Sequence, residues 1–320
     1  MTDQRRYDVL TMGRSSIDLY AHEIGVPMPG VKSFDAYVGG CPTNISVGTR
    51  RLGLDSALLT AVGEDEVGDF VLAFLEREGV ETRFIPRKPG RRTSAVVMSI
   101  QPPDRFPLTF YRDNCADRAL DLDDVRAAPI DRTRVLLVTG TGLGYEPSRS
   151  ATMLAVELAR AAGTPVVVDI DYRPGEWASA EHFGVQMRAL LRSVRLAVGT
   201  AEEVSAATGE AEAAKGAERL LALGLEALVL KRGGDGAVIY RPGEPPVPVP
   251  AFRIEVLNVL GAGDAFASGF LYGWLQGWPL ERAVRMACAT GAIVVTRHGC
   301  ANFMPTLPEV DAFVADQGGW

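Results

Sequence analysis

Arg134-Val135-Leu136-Leu137-Val138, then the segment from Arg149 to Ala162, then Pro165-Val166-Val167-Val168-Asp169 decide the fold of this 320-residue chain. The two outer runs are apolar and only five residues long, the length of a strand covered on both faces. The segment between them is long enough for a helix and has helical spacing. Two buried strands joined through a helix pair in parallel by a right-handed crossover. Outward from this unit the pattern repeats. Tyr7 to Met12, ending at Gly13, reads as a buried first strand; Ser56 to Val62, Arg195 to Val198 and Ala227 to Leu230 read the same way. Val67 to Glu78 places Phe70, Val71, Phe74 and Leu75 on one helical face. Strands alternating with helices predict an α/β fold: a doubly wound, mainly parallel sheet with helices on both faces.

Two stretches break the rhythm. Residues 16–38 and 92–114 hold short β-branched and aromatic runs, among them Thr93 to Ile100 and Leu108 to Tyr111, with no helix between them. They are expected to be antiparallel strands forming a small β-sheet lid over one end of the main sheet. Residues 241–250 are proline-rich and suit a loop and edge strand. From 255 onward the chain turns helical, with Gly263 to Gln276 and Leu280 to Thr296 largely apolar. A single domain over residues 1–320, lid included, is the expected organisation.

Composition excludes several functions. Forty acidic against 33 basic side chains give a net charge of −7, which argues against a nucleic-acid or anionic-membrane binder. No apolar stretch is long and charge-free enough to span a bilayer, and Met1 to Asp8 lack the apolar core of a signal peptide. Cys41, Cys115, Cys288 and Cys300 are scattered without a C-x-x-C pair, which predicts reduced thiols and a soluble cytoplasmic protein.

The chemistry is written most clearly in Gly261-Ala262-Gly263-Asp264, followed by the apolar run Ala265 to Phe270. Glycines allow a tight turn and close approach to a ligand, and the helix start supplies unpaired N–H groups suited to phosphate. Asp264, in the first turn, is placed to take a proton from an attacking hydroxyl while those amides hold the charge on a transferred phosphoryl group. Alone, the same letters describe a loop with an acidic helix start. Gly39-Gly40-Cys41-Pro42-Thr43-Asn44 is a second glycine pair before a helix, and Asn44 offers a donor and acceptors to a sugar hydroxyl. Alone, it also reads as an N-cap loop.

In this order and context the two motifs resemble the PfkB, or ribokinase-like, family of carbohydrate kinases, over Asp8 to about Pro308. The resemblance implies ATP and Mg2+ as phosphoryl donor and metal. It makes Asp264 the catalytic base and Gly261, Ala262 and Gly263 its anion hole. It also makes Asp18, Gly39, Gly40 and Asn44 binders of the phosphate acceptor. The family's Asn-x-x-Glu motif falls at Gly199-Thr200-Ala201-Glu202, with Glu202 as the implied metal-side acid and Gly199 in place of the Asn. Lys231, Gly233 and Gly236, in Lys231-Arg232-Gly233-Gly234-Asp235-Gly236, match the nucleotide side; Gly234-Asp235-Gly236 is also good hairpin chemistry. Where the family writes Asp-Thr this chain has Asn258-Val259, which leaves open whether a monovalent cation sits at that loop.

Within the family, Glu255 to Phe266, Ile24 to Pro27, Phe106 to Arg112 and Asp169 to Pro174 look like the 5-dehydro-2-deoxygluconokinases of myo-inositol catabolism. That subgroup phosphorylates a keto-deoxy sugar acid, so Arg112 and Arg173 are implied carboxylate contacts, a task suited to guanidinium groups. A 2-keto-3-deoxygluconate kinase or fructokinase is a close alternative, a nucleoside kinase a more distant one. A catalytically silent sugar-binding regulator is the alternative from another class. A dinucleotide enzyme would need Gly-x-Gly-x-x-Gly after the first strand, and Met12-Gly13-Arg14-Ser15-Ser16 does not supply it. A homodimer through the lid strands is the expected assembly, because exposed edges favour pairing.

Overall fold

A computed structural model describes residues 6–101, 105–298 and 300–320; residues 102–104 of the expected lid lie outside the described set. The chain opens with β1 (Tyr7–Met12), β2 (Ser16–Ala21), β3 (Phe34–Gly39), α1 (Cys41–Arg51), β4 (Ser56–Leu59) and β5 (Val62–Gly63). It continues through α2 (Glu66–Arg77), β6 (Arg87–Lys88), β7 (Ser94–Met98), β8 (Leu108–Tyr111) and α3 (Leu122–Ala127). Then come β9 (Thr133–Thr139), α4 (Ser148–Ala162), β10 (Val166–Asp169), α5 (Ala180–Leu191), β11 (Leu196–Thr200), α6 (Ala201–Thr208) and α7 (Ala213–Leu221). The last elements are β12 (Ala227–Lys231), β13 (Ala237–Tyr240), β14 (Val247–Val249), α8 (Ala262–Leu275), α9 (Leu280–Val295) and α10 (Leu307–Asp316).

The main sheet has eight strands in the order β14-β13-β12-β11-β10-β9-β1-β4. The six from β12 to β4 are parallel, while β13 and β14 close one edge as antiparallel strands. All four residues of β10 are buried, as expected of a strand packed on both faces. α4 buries Ala151, Ala155 and Ala159 in one stripe with Thr152 and Val156 beside it, and stops at Gly163, whose φ of 71° lies in the left-handed region. One apolar layer joins α3 to α7 to one face of the sheet, and another joins α1, α8, α9 and α10 to the opposite face. From β1 the chain moves outward to β4, then returns to β9 and builds the other way. The topological switch point therefore lies between β1 and β9, where ligands gather at the carboxyl ends of the strands in open sheets.

β3-β2-β7-β8 form a separate four-stranded sheet, the expected lid. It departs from expectation in one pairing: β2 and β7 run parallel, while the other two pairs are antiparallel. Period-two patterning sets which face a side chain takes and carries nothing about strand direction. The proline-rich stretch forms the edge strand β14, as expected.

The helices are brought together by small residues. Gly48 of α1 faces Ser268 of α8, where a Cβ would collide with the serine side chain. A Cβ at Gly269 would lie 2.9 Å from the Met286 carbonyl oxygen of α9. Ser268 Oγ donates to the Asp264 carbonyl, 2.8 Å away, within α8. This close crossing sets the N-termini of α1 and α8 side by side, each opening toward the switch point.

Candidate active site

Gly261 caps α8 with φ 75° and lends no side chain to the helix end; a Cβ there would come within 2.7 Å of the Cys300 backbone nitrogen. Glycine is therefore required both for the turn and for the space. Residues 261–264 all keep part of their surface open. The first N–H groups of the helix have no partner within it and carry its partial positive charge. Lys231 Nζ, arriving from the end of β12, would lie 3.4 Å from a Cβ on Gly263. Ala262 N–H donates to the Val259 carbonyl at 3.4 Å, whereas the Gly263 and Asp264 amides have no backbone acceptor among the described residues; with the helix dipole and the ammonium group, they make an arrangement suited to a phosphate.

Asp264 stands beside this turn. Asn44 Nδ2 donates to its Oδ2 at 2.6 Å, and the Cys41 thiol also hydrogen-bonds to it. Burial raises the Asp264 pKa against the hydrogen bonds from Asn44 and Cys41; the charge of Asp171 adds to the rise and Arg173 opposes it. Burial together with Asp264, Asp171 and Asp169 holds the Cys41 thiol well above its ordinary pKa, so it remains a donor. Asn44 is 3% exposed, and its Oδ1 has no partner among the described residues. A buried acceptor left without a partner is uncommon and marks this atom as a candidate for a ligand donor. Replacing Asn44 with Leu is expected to raise the Asp264 pKa further, because a hydrogen bond to the charged form is lost. The acid limb of the kcat/KM profile then moves to higher pH, which a pH–rate series measures.

The lid contributes Asp18 from β2. Its carboxylate accepts from Ser16 Oγ at 2.7 Å and from the Cys300 thiol at 3.3 Å, and that sulfur also contacts the Tyr20 hydroxyl. Burial raises Asp18, while Arg14, Ser16 and Cys300 pull it down. Gly39 packs directly against this carboxylate, and a Cβ at either Gly39 or Gly40 would collide, the first with Asp18 and the second with the Arg14 carbonyl.

The floor is built at the end of β10. Asp171 pairs with Arg173 at 2.9 Å and accepts from Thr141 Oγ1 at 3.1 Å. Burial pushes Asp171 upward, but Arg173, Arg14, Thr141 and Lys231 together hold it below the usual carboxylate range. The Arg173 side chain is 44% exposed, so its guanidinium keeps an open edge. Asp169 meets Lys231 Nζ at 3.3 Å through both oxygens, and Glu203 lies 3.7 Å from the same nitrogen. Burial lowers and these acids raise the Lys231 pKa, and the acids win. Asp169 is raised by burial, opposed by Lys231 and reinforced by Glu203, Asp171 and Asp264.

Two expected site residues sit differently from their sequence-based roles. Arg112 follows β8 but is only 4% exposed; it pairs with Asp117 and, at 2.9 Å, with Glu176, which also takes Arg118 at 2.7 Å. Its charge is satisfied within the protein and ties the lid to the loop after β10. Glu202 is exposed in the first turn of α6. The N-terminal cap is Thr200, whose side chain and Glu203 form a capping box, with Glu203 Oε2 accepting from the Thr200 amide at 2.7 Å. Glu203, not Glu202, faces Lys231. A Cβ at Gly199 would come within 2.7 Å of the Ile170 side chain, which would have to shift to admit one. Gly233 and Gly236 lie in the β12–β13 turn with φ of 55° and 84°, and a Cβ on Gly236 would collide with the Val249 carbonyl.

Arg14 belongs to the site although no motif marks it. It donates to Ser16 Oγ at 3.2 Å and lies over the Phe110 ring of the lid at 5.5 Å; its charge helps hold Asp171 down and opposes the rise that burial imposes on Asp18. Its only signal was its place directly after the first strand. A cavity of about 680 Å³ lined by Tyr145, Arg149, Glu176, Trp177 and His182 lies beside the centre and includes none of the groups around Asp264.

Fold and site together describe a sugar kinase: a doubly wound sheet, a lid, and a carboxylate at a helix N-terminus above the switch point. The sequence profile of the pfkB family carbohydrate kinases matches residues 7–307, and the chain belongs to that family. It is 36% identical over 319 residues to the 5-dehydro-2-deoxygluconokinase of Shouchella clausii (strain KSM-K16), covering 98% of this chain and 97% of that one. Its fold is similar to the crystal structure of fructokinase with bound ATP from Xylella fastidiosa, with a TM-score of 0.88, 25% identity, and 97% and 99% of the two chains covered. It is also similar to a fructokinase double mutant from Vibrio cholerae O395 in a fructose, ADP and potassium ion bound form, with a TM-score of 0.86, 25% identity, and 96% and 98% covered. Among the described residues no helix is long and apolar enough to cross a membrane.

Proposed function

We propose that this chain transfers the γ-phosphoryl group of ATP to a hydroxyl of 5-dehydro-2-deoxy-D-gluconate, giving the 6-phosphate, as a cytoplasmic step of myo-inositol catabolism. The observation that carries this reading is the convergence of Asp264, Asn44 and Lys231 on the amide-rich start of α8. The substrate rests on the relatives of that name and on the open guanidinium edge of Arg173.

The acceptor enters between lid and sheet. Asp18 accepts from its hydroxyls, the free Oδ1 of Asn44 accepts another, and Arg173 meets its carboxylate with paired N–H groups. Asp264 takes the proton of the attacking hydroxyl, and the Gly261–Asp264 amides with Lys231 hold the charge on the transferring group. Gly233 and Gly236 shape the nucleotide-side turn. Mg2+ neutralises phosphate charge when bound. No cluster of three or more ligating side chains is set for a metal among the described residues. Mg2+ at such sites commonly arrives on the phosphates and is held by one or two carboxylates. Glu203 and Asp169, which both face Lys231, are the acids placed to hold it, and Glu203 takes the role expected of Glu202.

An ATP-dependent coupled assay across sugar acids, neutral sugars and nucleosides tests the acceptor class. Sugar acids are expected to lead, and Arg173→Lys is expected to raise KM for them about tenfold with little effect on a neutral sugar. Preference for a neutral sugar in the parent enzyme would defeat the carboxylate assignment. ATP hydrolysis without acceptor is expected to run far below the kinase rate, because the lid excludes water before transfer.

The lid also supports a homodimer. Phe34 of β3 and Phe110 and Tyr111 of β8 are exposed on the two edge strands of that sheet. Sedimentation velocity with Tyr111→Lys tests it: the variant is expected to dissociate, and a monomeric parent would contradict the reading.

A further inference from the structure

Asn258 stands at the loop where many members of the family hold a monovalent cation, with Val259 beside it in place of a threonine. Its carboxamide is fully buried. Oδ1 accepts from the Leu260 amide at 3.0 Å, and Nδ2 donates to the His298 carbonyl at 2.7 Å. The backbone N–H groups of Leu257 and Asn258 both reach the Val295 carbonyl, at 2.8 and 3.1 Å. These bonds fasten the segment leading into Gly261 to the end of α9 and the turn after it.

The chemistry of this fastening decides whether an ion is needed. A carboxylate at 258 has acceptors only. Facing the His298 carbonyl, it would set two acceptors against each other in a buried place, and a cation between them would be required to hold the loop. The amide carries its own donor and closes the same gap with a neutral hydrogen bond. Val259 is 51% exposed and has no side-chain oxygen to offer a metal. The donor set does not fit a monovalent cation.

We infer that the Asn258 amide takes the place of that ion, so this kinase binds and turns over its substrates without potassium or sodium. The inference concerns the anion-hole loop of the kinase proposed above and rests on that reading for its activity arm.

The test compares turnover in potassium chloride with turnover in tetramethylammonium chloride at equal ionic strength, with tetramethylammonium ATP and Mg2+ present. Thermal unfolding is followed in the same two salts. The parent enzyme is expected to differ by less than about twofold in kcat and to show no potassium-dependent shift in Tm. Stimulation by potassium of about tenfold or more, or a clear potassium-dependent rise in Tm, would overturn the inference. Asn258→Asp is expected to reverse the behaviour, losing activity and Tm without potassium and recovering both with it. A folded Asn258→Asp protein indifferent to potassium in both readouts would also overturn it. If no acceptor is phosphorylated in either salt, the kinase reading fails, and the Tm comparison still decides the ion.

Discussion

Asp264→Asn is expected to lower kcat by about 10²- to 10⁴-fold, the usual contribution of a positioned general base, and to raise thermal stability slightly. The loss follows because the amide has no acid–base function near neutral pH. Geometry is retained: the side chain is isosteric, and its remaining oxygen still accepts from Asn44. The stability gain follows from the sign of the pKa shift. Burial raises Asp264 in the folded protein, so the native state holds its proton more tightly than the unfolded chain does. That contribution favours folding below the unfolded carboxylate pKa and is lost as pH rises through the folded value. At neutral pH the parent protein therefore carries a buried charge it would be more stable without, and the neutral variant does not. Rapid-quench kinetics with ATP titration and calorimetry at pH 7 check both halves. Near-normal turnover would remove Asp264 from the mechanism, and a lower Tm would contradict the electrostatic account.

Lys231→Met is expected to cost about 3–5 kcal/mol of folding stability near pH 8, the penalty for stripping one partner from a buried ion pair. Lys231 is the counter-charge for Asp169, which is 3% exposed at its side chain, and for Glu203. Without it, burial and mutual repulsion push the Asp169 pKa higher still. The native variant then gains stability by binding a proton, so its deficit against the parent shrinks as pH falls from 8 toward 6. Denaturant unfolding at several pH values reads this slope. KM for ATP is expected to rise about ten- to hundredfold, since a hydrogen bond to a charged phosphate is lost. Adding Asp169→Asn to the variant is expected to restore most of the stability and none of the nucleotide affinity. Recovery of both would mean that Lys231 only neutralises Asp169.

The lysine could be read from sequence as a nucleotide-side residue, but its partners could not. Asp169 is 62 residues away in sequence, at the end of a run that reads only as a buried strand. Arg14 was illegible for a similar reason: its segment has no motif, and its meaning depends on β1 lying next to the switch point. Which of Glu202 and Glu203 faces Lys231 depends on where the helix begins. Thr200-Ala201-Glu202-Glu203 is a capping-box pattern, and a helix beginning at Ala201 turns Glu203 inward and Glu202 out. Arg112 shows the opposite difficulty. Its place after a lid strand is as the sequence indicates, yet Asp117 and Glu176 enclose it, and no spacing announces an ion cluster shared between the β8–α3 and β10–α5 connections.

The alternation around β9, α4 and β10 was plain because each element is buried on the faces that its pattern announces. The lid strands were also plain as strands, but their directions were not, because β2 and β7 are far apart in the chain and meet in parallel. Gly261 to Asp264 and Gly39 to Asn44 were legible as two glycine-rich helix starts. What brings them together is the Gly48–Ser268 crossing, a contact between small residues on helices far apart in sequence.

The central claim is that Asp264 and the amides at the head of α8 pass a phosphoryl group to a hydroxyl of a sugar acid. The most direct measurement is 31P NMR of the parent enzyme incubated with ATP, Mg2+ and 5-dehydro-2-deoxy-D-gluconate. A new phosphate monoester whose resonance couples to the protons at carbon 6, formed in step with ADP, is the expected result. Inorganic phosphate as the sole product, or an unchanged ATP spectrum from folded protein, would contradict it.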